Sequence, residues 1–368
     1  MLVSTDVERM RIIGFESSCD ETAVSVIEAD ENGKLNILSN AIASQVDIHR
    51  LYGGVVPEIA GRAHIEAISG LTRTALKEAH TAPEELSAVA VTTHPGLIGA
   101  LLVGVSFAKA FAAREGLPLI SVDHIKGHVA AAYLTEDAPK PPFVALVVSG
   151  GHTSLFAVED YTNFRLVGET RDDAIGEAFD KIGRIVGLPY PAGAGFDALA
   201  KEGFVRATGK EEGFYAAFPK TEVYKNPYYK FPSAALSDGS FDFSFSGMKT
   251  AAINLLHRFE QLGTLPESDY FAAAYTYAAV ESVAKKVEAV LLQYPNAALV
   301  VAGGVAANSH LRARLASLCQ KHGRALSLPP LSLCGDNGAM IAAAGYYEFL
   351  AGNIADSTQN ASASDDGK

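Results

Sequence analysis

Leu119-Ile120-Ser121-Val122-Asp123-His124-Ile125-Lys126-Gly127-His128-Val129-Ala130-Ala131-Ala132-Tyr133 decides the fold once it is laid against a second stretch far downstream. That partner runs from Leu331-Ser332-Leu333-Cys334-Gly335-Asp336-Asn337-Gly338 into Ile341-Ala342-Ala343-Ala344-Gly345-Tyr346. Each reads as a short apolar strand, a polar turn and a helix of small residues. Without a gap, Val129-Ala130-Ala131-Ala132 falls on Ile341-Ala342-Ala343-Ala344, and His124 falls opposite Asp336.

Two further pairs of units precede these in the same order. Arg11 to Glu16, the turn Ser17-Ser18-Cys19-Asp20-Glu21 and Thr22 to Ile27 predict a hairpin. Phe143 to Val148, Ser149-Gly150-Gly151-His152 and Thr153 to Val158 predict another. Ala88 to Val91, a turn over Thr92 to Gly96 and a helix from Leu97 to Arg114 match Ala298 to Val301, Ala302-Gly303-Gly304 and a helix from Val305 to Leu318. Three units recurring in order mean a duplicated domain, not a short-period array. The expectation is an α/β protein of two related lobes.

The lobes are expected at 9–138 and 139–352, joined through the stiff Pro139-Lys140-Pro141-Pro142. Met1 to Met10 reads as a loose start. In the first lobe a third strand is expected near Leu35 to Ala43, and a long helix opens at Pro57. In the second, Arg171 to Val186, Ser246 to Glu260 and Ser268 to Gln293 read as helices, with a Gly/Pro loop over Gly187 to Gly195. An insertion at 203–242, rich in Tyr, Phe, Lys and Pro, reads as irregular. The Ser, Asn and Asp content of 353–368 predicts a disordered tail.

With 368 residues, 48% of them hydrophobic, the chain can build two cores. No apolar run is long enough for a membrane span, and no signal peptide is evident, so a cytoplasmic protein is expected. Cys19, Cys319 and Cys334 lack metal-finger spacing and read as reduced thiols. The net charge of −12 argues against nucleic-acid binding by this chain alone, unless a local patch or a partner supplies positive charge.

His124 and His128 stand four apart, which places both imidazoles on one face of a helix. Such a pair alone is most often ordinary polar surface; with one carboxylate it can make a two-His, one-Asp site for a cation. Asp336 at a helix start reads, taken alone, as a plain N-cap, and it is the register with His124 that makes it a ligand candidate. Hairpin turns facing each other predict a cleft, with Ser17 to Glu21 on one wall and Ser149 to Thr153 on the other. Gly150 and Gly151 would let a phosphate approach backbone N–H groups, or would simply serve the turn. Ala302 to Asn308, between a buried strand and a helix, suits a nucleotide at a helix N-terminus. Asp180 reads by default as part of a solvated helix face. His49, His64, His94 and His152 read as structural or turn histidines.

Taken together, a set of motifs resembles one family. They are Glu16 to Thr22 (ESSCDET), Tyr52 to Glu58 (YGGVVPE), Pro95 to Gly104 (PGLIGALLVG), His124 to His128, Val148 to Thr153 (VSGGHT), Gly176 to Lys181 (GEAFDK), Asp242 to Thr250 (DFSFSGMKT), Ala302 to Asn308 (AGGVAAN) and Asp336 to Ala342 (DNGAMIA). The chain is similar over Arg11 to Gly352 to the bacterial tRNA threonylcarbamoyladenosine transferases, once called O-sialoglycoprotein endopeptidases. The resemblance implies the actin-like ATPase (ASKHA) fold, with two ribonuclease-H-like lobes. It implies transfer of the threonylcarbamoyl group from threonylcarbamoyl-AMP to the exocyclic amine of adenosine 37, in tRNAs reading codons that begin with A. It implies one divalent metal, Fe2+ or else zinc, on His124, His128 and Asp336. Val147, Val148, Ser149, Gly150 and Gly151 would contact the intermediate, and Asp180, Gly193 and Asn308 its nucleotide part. Asp20 or Glu21 would orient the amine or take its proton. Implied partners are an inactive actin-fold paralogue (TsaB type) and a small P-loop ATPase (TsaE type).

The chain departs from the family at Pro191 to Gly195, in the long 203–242 segment and in the tail, which lacks a basic ending. Three rival readings remain. A metalloprotease would carry Glu where Ile125 follows the first histidine. A sugar kinase or free-standing ATPase of the same fold would turn over ATP without tRNA. A non-catalytic paralogue would lack the metal ligands.

Overall fold

The computed structural model describes residues 9–264 and 266–364. Most of the loose start and the last four tail positions lie outside the described residues. The chain forms two compact units, each built on a five-stranded mixed sheet.

The first sheet holds β1 (Met10–Glu16), β2 (Glu21–Ala29), β3 (Leu35–Ser44), β4 (Ala88–His94) and β5 (Leu119–Asp123) in the order β3-β2-β1-β4-β5. A short α1 (Val46–Arg50) and the long α2 (Pro57–Glu78) follow β3, α3 (Ile98–Glu115) joins β4 to β5, and α4 (His124–Ala130) follows β5. Strand periodicity separates the two faces of β1. Ile13 and Phe15 join a core with Val24, Val26, Val89, Val91, Ile68 of α2 and Val105 of α3. Gly14 points to the opposite face.

The second sheet holds β6 (Phe143–Val148), β7 (Thr153–Val158), β8 (Phe164–Glu169), β9 (Ala298–Ala302) and β10 (Leu326–Ser327). Its order is β10-β9-β6-β7-β8. Read from the other end this is the order of the first sheet, and the pairings repeat. β1 and β6 each pair antiparallel with the next strand and parallel with the fourth. The duplication expected from the sequence is therefore real. Its third strand is misplaced, however: Leu331–Leu333 is a turn of 3-10 helix, and the strand lies at Leu326–Ser327. β8 is exposed or half-buried at every position but Gly168, and no long apolar run announces it.

Helices of the second half are α5 (Ile175–Ile185), α6 (Gly193–Thr208), the single turns α7 (Phe214–Ala217) and α8 (Glu222–Lys225), α9 (Ser246–Gln261), α10 (Ser268–Gln293), α11 (Ser309–Lys321) and α12 (Gly338–Leu350). The supposed Gly/Pro loop already contains the start of α6. The 203–242 segment is less irregular than expected, because its aromatic side chains find each other. Phe204 packs edge-on to Phe218 at 4.8 Å and against His310 at 4.7 Å.

The units do not divide where the lobes were expected to. Asp160–Phe164 and the whole chain from Pro329 belong to the first unit. α12 packs on β1, β2, β4 and β5, filling the face that Gly14 leaves open. A Cβ on Gly14 would come within 2.5 Å of Ala342 N, and one on Gly338 within 2.6 Å of Ser25 N. Tyr161 stacks on Tyr347 of α12 with centroids 3.8 Å apart.

The described tail is ordered, contrary to expectation. Ala355 N donates to Leu119 O at 2.8 Å, and Ser362 N to Thr93 O at 2.9 Å. Lys109 Nζ donates to Gln359 O at 2.9 Å, so a polar composition is held to the rest of the first unit by backbone pairing and a lysine side chain. Among the described residues no helix is long and apolar enough to cross a membrane.

Candidate metal centre

β5 ends at Asp123, whose carboxylate caps α4 by accepting from Ile125 N at 2.6 Å and Lys126 N at 3.3 Å. The helix therefore begins at His124, and one turn later His128 stands on the same face. The two rings meet edge to face with centroids 4.5 Å apart. Both are buried. On the other side Asn337 caps α12, accepting from Met340 N at 2.9 Å and donating to Gly335 O at 2.8 Å. That cap fixes Asp336 just ahead of the helix.

Asp336 Oδ1 lies 3.7 Å from His124 Nε2 and 3.3 Å from His128 Nε2. One ligand atom from each of the three residues fits within a span of 4.8 Å. Asp336 is thus not the N-cap; that role belongs to Asn337. All three groups lie in the first unit, because α12 packs there. By the expected bounds His124 and His128 fall in the first lobe and Asp336 in the second, but the chain from Pro329 belongs to the first unit.

Neither ring nitrogen of His128 has a hydrogen-bond partner among the described residues, although both are shielded from water. The 3.3 Å approach to Asp336 lacks hydrogen-bond geometry. A buried imidazole left unsatisfied is costly. Two imidazole nitrogens and a carboxylate oxygen around one point are the donor set of a divalent first-row ion. The residues present fit such an ion.

Electrostatics bind the loop after β1 to the same point. Burial disfavours the charged form of Glu16, but the adjacent His124 charge and their hydrogen bond outweigh it and lower its pKa. Burial also opposes charge on His124, while Glu16 and Asp336 raise it to about 9. Glu21 is pushed up to about 9 by burial, by the charges of Asp336 and Asp20, and by a hydrogen bond with Asp20. Asp336 therefore acts on Glu21 by its charge, second to burial. Cys19 is held as a thiol by burial and the surrounding carboxylates.

The remaining predicted residues gather in the second unit. β6 and β9 run parallel with Val147 opposite Ala302, so the turns after both strands emerge at one end of the sheet. Gly303 has φ +91° and no room for a Cβ, which would sit 2.8 Å from Val148 C. Gly176 at the start of α5 is equally tight, 2.9 Å from Gly150 Cα. Gly150 and Gly151 have open space where a Cβ would be. Asp180 accepts from Ala192 N at 2.7 Å and Gly193 N at 3.0 Å, holding the start of α6. It is an anchor, not a solvated face. Asn308 caps α11 through His310 N and Leu311 N.

A family model for tRNA N6-adenosine threonylcarbamoyltransferase (TsaD) matches residues 36–343. The chain belongs to the tRNA N6-adenosine threonylcarbamoyltransferase family. A family protein of Lactobacillus delbrueckii subsp. bulgaricus is 45% identical over 355 residues, covering 96% of this chain and 94% of that one. One from Staphylococcus saprophyticus is 46% identical over 353 residues, with 96% and 95% covered. Among solved structures, T. kodakarensis HypF superposes with a TM-score of 0.56 at 12% identity, covering 94% of this chain and 48% of that one. That likeness concerns the fold, and the paired sheets are those of an actin-like ATPase.

Within this threonylcarbamoyltransferase, sequence reasoning missed the residues behind the ligands: Glu16, Ser18, Thr92 and Asp123. One signal existed, since Glu16 is a charge closing a strand otherwise apolar from Ile12 to Phe15. The four histidines expected to be structural or turn residues all have such partners. His64 bonds Thr22 Oγ1 at 2.7 Å and Cys19 O at 3.0 Å, and His49 bonds Gln45 Oε1 at 3.1 Å. His94 pairs with Asp123 at 3.8 Å, and His152 closes its turn through Ser149 N.

Proposed function

We propose that His124, His128 and Asp336 hold a divalent cation, Fe2+ by preference, that anchors the threonylcarbamoyl-AMP from which this tRNA N6-adenosine threonylcarbamoyltransferase draws its acyl group. The observation that carries the reading is the convergence of two buried imidazoles and one carboxylate within 4.8 Å, with His128 otherwise unsatisfied. When bound, such an ion binds donor oxygens and polarises the carbonyl under attack.

The chain's own groups do the rest. The mixed anhydride is already activated, so no protein nucleophile is required. Val147, Val148, Ser149, Gly150 and Gly151 contact the donor, and the backbone N–H groups of Gly150 and Gly151, which have open space beside them, stabilise the departing AMP. Gly193 and Asn308, at the starts of α6 and α11, take the nucleotide part, with Asp180 holding the first in place. Asp20 and Glu21 orient the N6 amine of adenosine 37 or take its proton. A cation held by Asp336 would offset one of the charges that raise Glu21, burial being the larger cause, and so favour its role as an acceptor.

The net charge of −12 makes unaided tRNA binding unfavourable. Partners, an inactive actin-fold paralogue and a small P-loop ATPase, complete the tRNA surface in the cytoplasm. The exposed apolar Leu51, Tyr52 and Ile65 of the first unit are available to such a partner.

Reconstitution with purified threonylcarbamoyl-AMP, tRNA and the partners, followed by mass spectrometry of the nucleosides, tests the proposal. His124→Ala and Asp336→Ala are expected to lose bound metal and tRNA modification together while keeping the fold. Full modification by either metal-free variant overturns it.

A further inference from the structure

Glu16 is the last residue of β1 and almost wholly buried, at 1% exposure. A carboxylate in such a place is expensive unless its oxygens are matched. Three polar groups converge on it. Ser18 N donates to Oε1 at 2.5 Å, and Thr92 Oγ1 donates to Oε2 at 2.5 Å. His124 Nδ1 lies 3.0 Å from the same Oε2. The sheet register makes this meeting unavoidable. β1 and β4 run parallel with Phe15 opposite Val91, so Glu16 and Thr92 are neighbours. β4 and β5 run parallel with Thr92 opposite Val122, two residues before His124.

We infer that Glu16 is a positioning residue for the metal centre. It accepts the Nδ1 proton of His124 and thereby commits the Nε2 lone pair to the point shared with His128 and Asp336. Ser18 Oγ, 3.1 Å from Nδ1, steadies the ring from the same side. A carboxylate behind a ligating imidazole fixes the tautomer and the ring plane and makes the ligand more basic. His128 has no counterpart: its Nδ1 is without a partner among the described residues. The two imidazoles are therefore unequal, His124 being the preset ligand and His128 the one that completes the set. The inference rests on the cation reading of the three ligands.

Two measurements on the full chain test it. In protein labelled with 15N at histidine and loaded with Zn2+, the His124 Nδ1 is expected to carry the proton, with Nε2 shifted as a metal-bound nitrogen. A proton on Nε2 overturns the inference without any variant. For Glu16→Gln, Co2+ affinity, read from the d–d absorption, is expected to fall about 10–100-fold, the usual effect of losing such a partner. Thr92→Val, which removes a hydrogen bond to Glu16 but leaves its charge, is expected to stay much nearer to wild type. A folded Glu16→Gln with wild-type Co2+ affinity and an unchanged His124 signal overturns the inference. Failure of the cation reading looks different: wild type, Glu16→Gln and His128→Ala would then all fail to take up Co2+ or Zn2+.

Discussion

Single side chains in the first unit are set by burial against partner geometry. His64 shows the balance. It is fully buried, bonded to Thr22 and Cys19, and burial lowers its pKa despite the backbone carbonyl that favours its charge. The sign follows from proton uptake. The unfolded chain binds a proton at His64 below about pH 6.5, whereas the folded chain refuses it. Stability from this site is present above that value and lost as pH falls toward the depressed folded value. We expect stability to decline between pH 7 and 5 by at most about 1.4 kcal/mol per pH unit from this group. His64→Gln should flatten that part of the profile; an unchanged slope in thermal melts across this range would show that His64 contributes nothing.

At the scale of elements, the metal ligands depend on two helix starts. Asp123 begins α4 and Asn337 begins α12, and each cap lies next to a ligand. Asn337 is buried and uses both ends of its amide. Asn337→Ala leaves the Met340 N–H and the Gly335 carbonyl unpaired, at a cost of about 1–2 kcal/mol. It also frees Asp336 to drift, so cation affinity is expected to fall along with the melting temperature. Loss of stability with unchanged affinity would mean that Asp336 is held by something other than the cap. The helix itself stays close to the sheet because Gly14 and Gly338 remove the Cβ atoms that would keep them apart.

For the whole molecule, the decisive fact is that α12 returns to the first sheet. Truncation after Leu328 removes the helix that covers β1, β2, β4 and β5 and, with it, Asp336. The first unit is then expected to lose its cooperative core while the second keeps its own. Hydrogen exchange on the truncated chain should show protection in β6, β7 and β9 and fast exchange in β1, β2 and β4. Equal protection in both sheets would contradict the assignment of α12 to the first core.

The sequence by itself determined the duplication, both hairpins, the long helices and the three ligand candidates. Those properties lie in local periodicity, in turn residues and in the four-residue spacing of His124 and His128. It also carried the family motifs, because each is a short contiguous run. Only the tertiary structure decided which sheet α12 covers, that Asn337 and not Asp336 caps it, and that Glu16 stands behind His124. The cap is a choice between two adjacent residues that can both cap a helix, whereas the other two depend on residues far apart in the chain, such as Glu16 with His124. No local period encodes such contacts; the parallel register of β1, β4 and β5 does, once the sheet has formed.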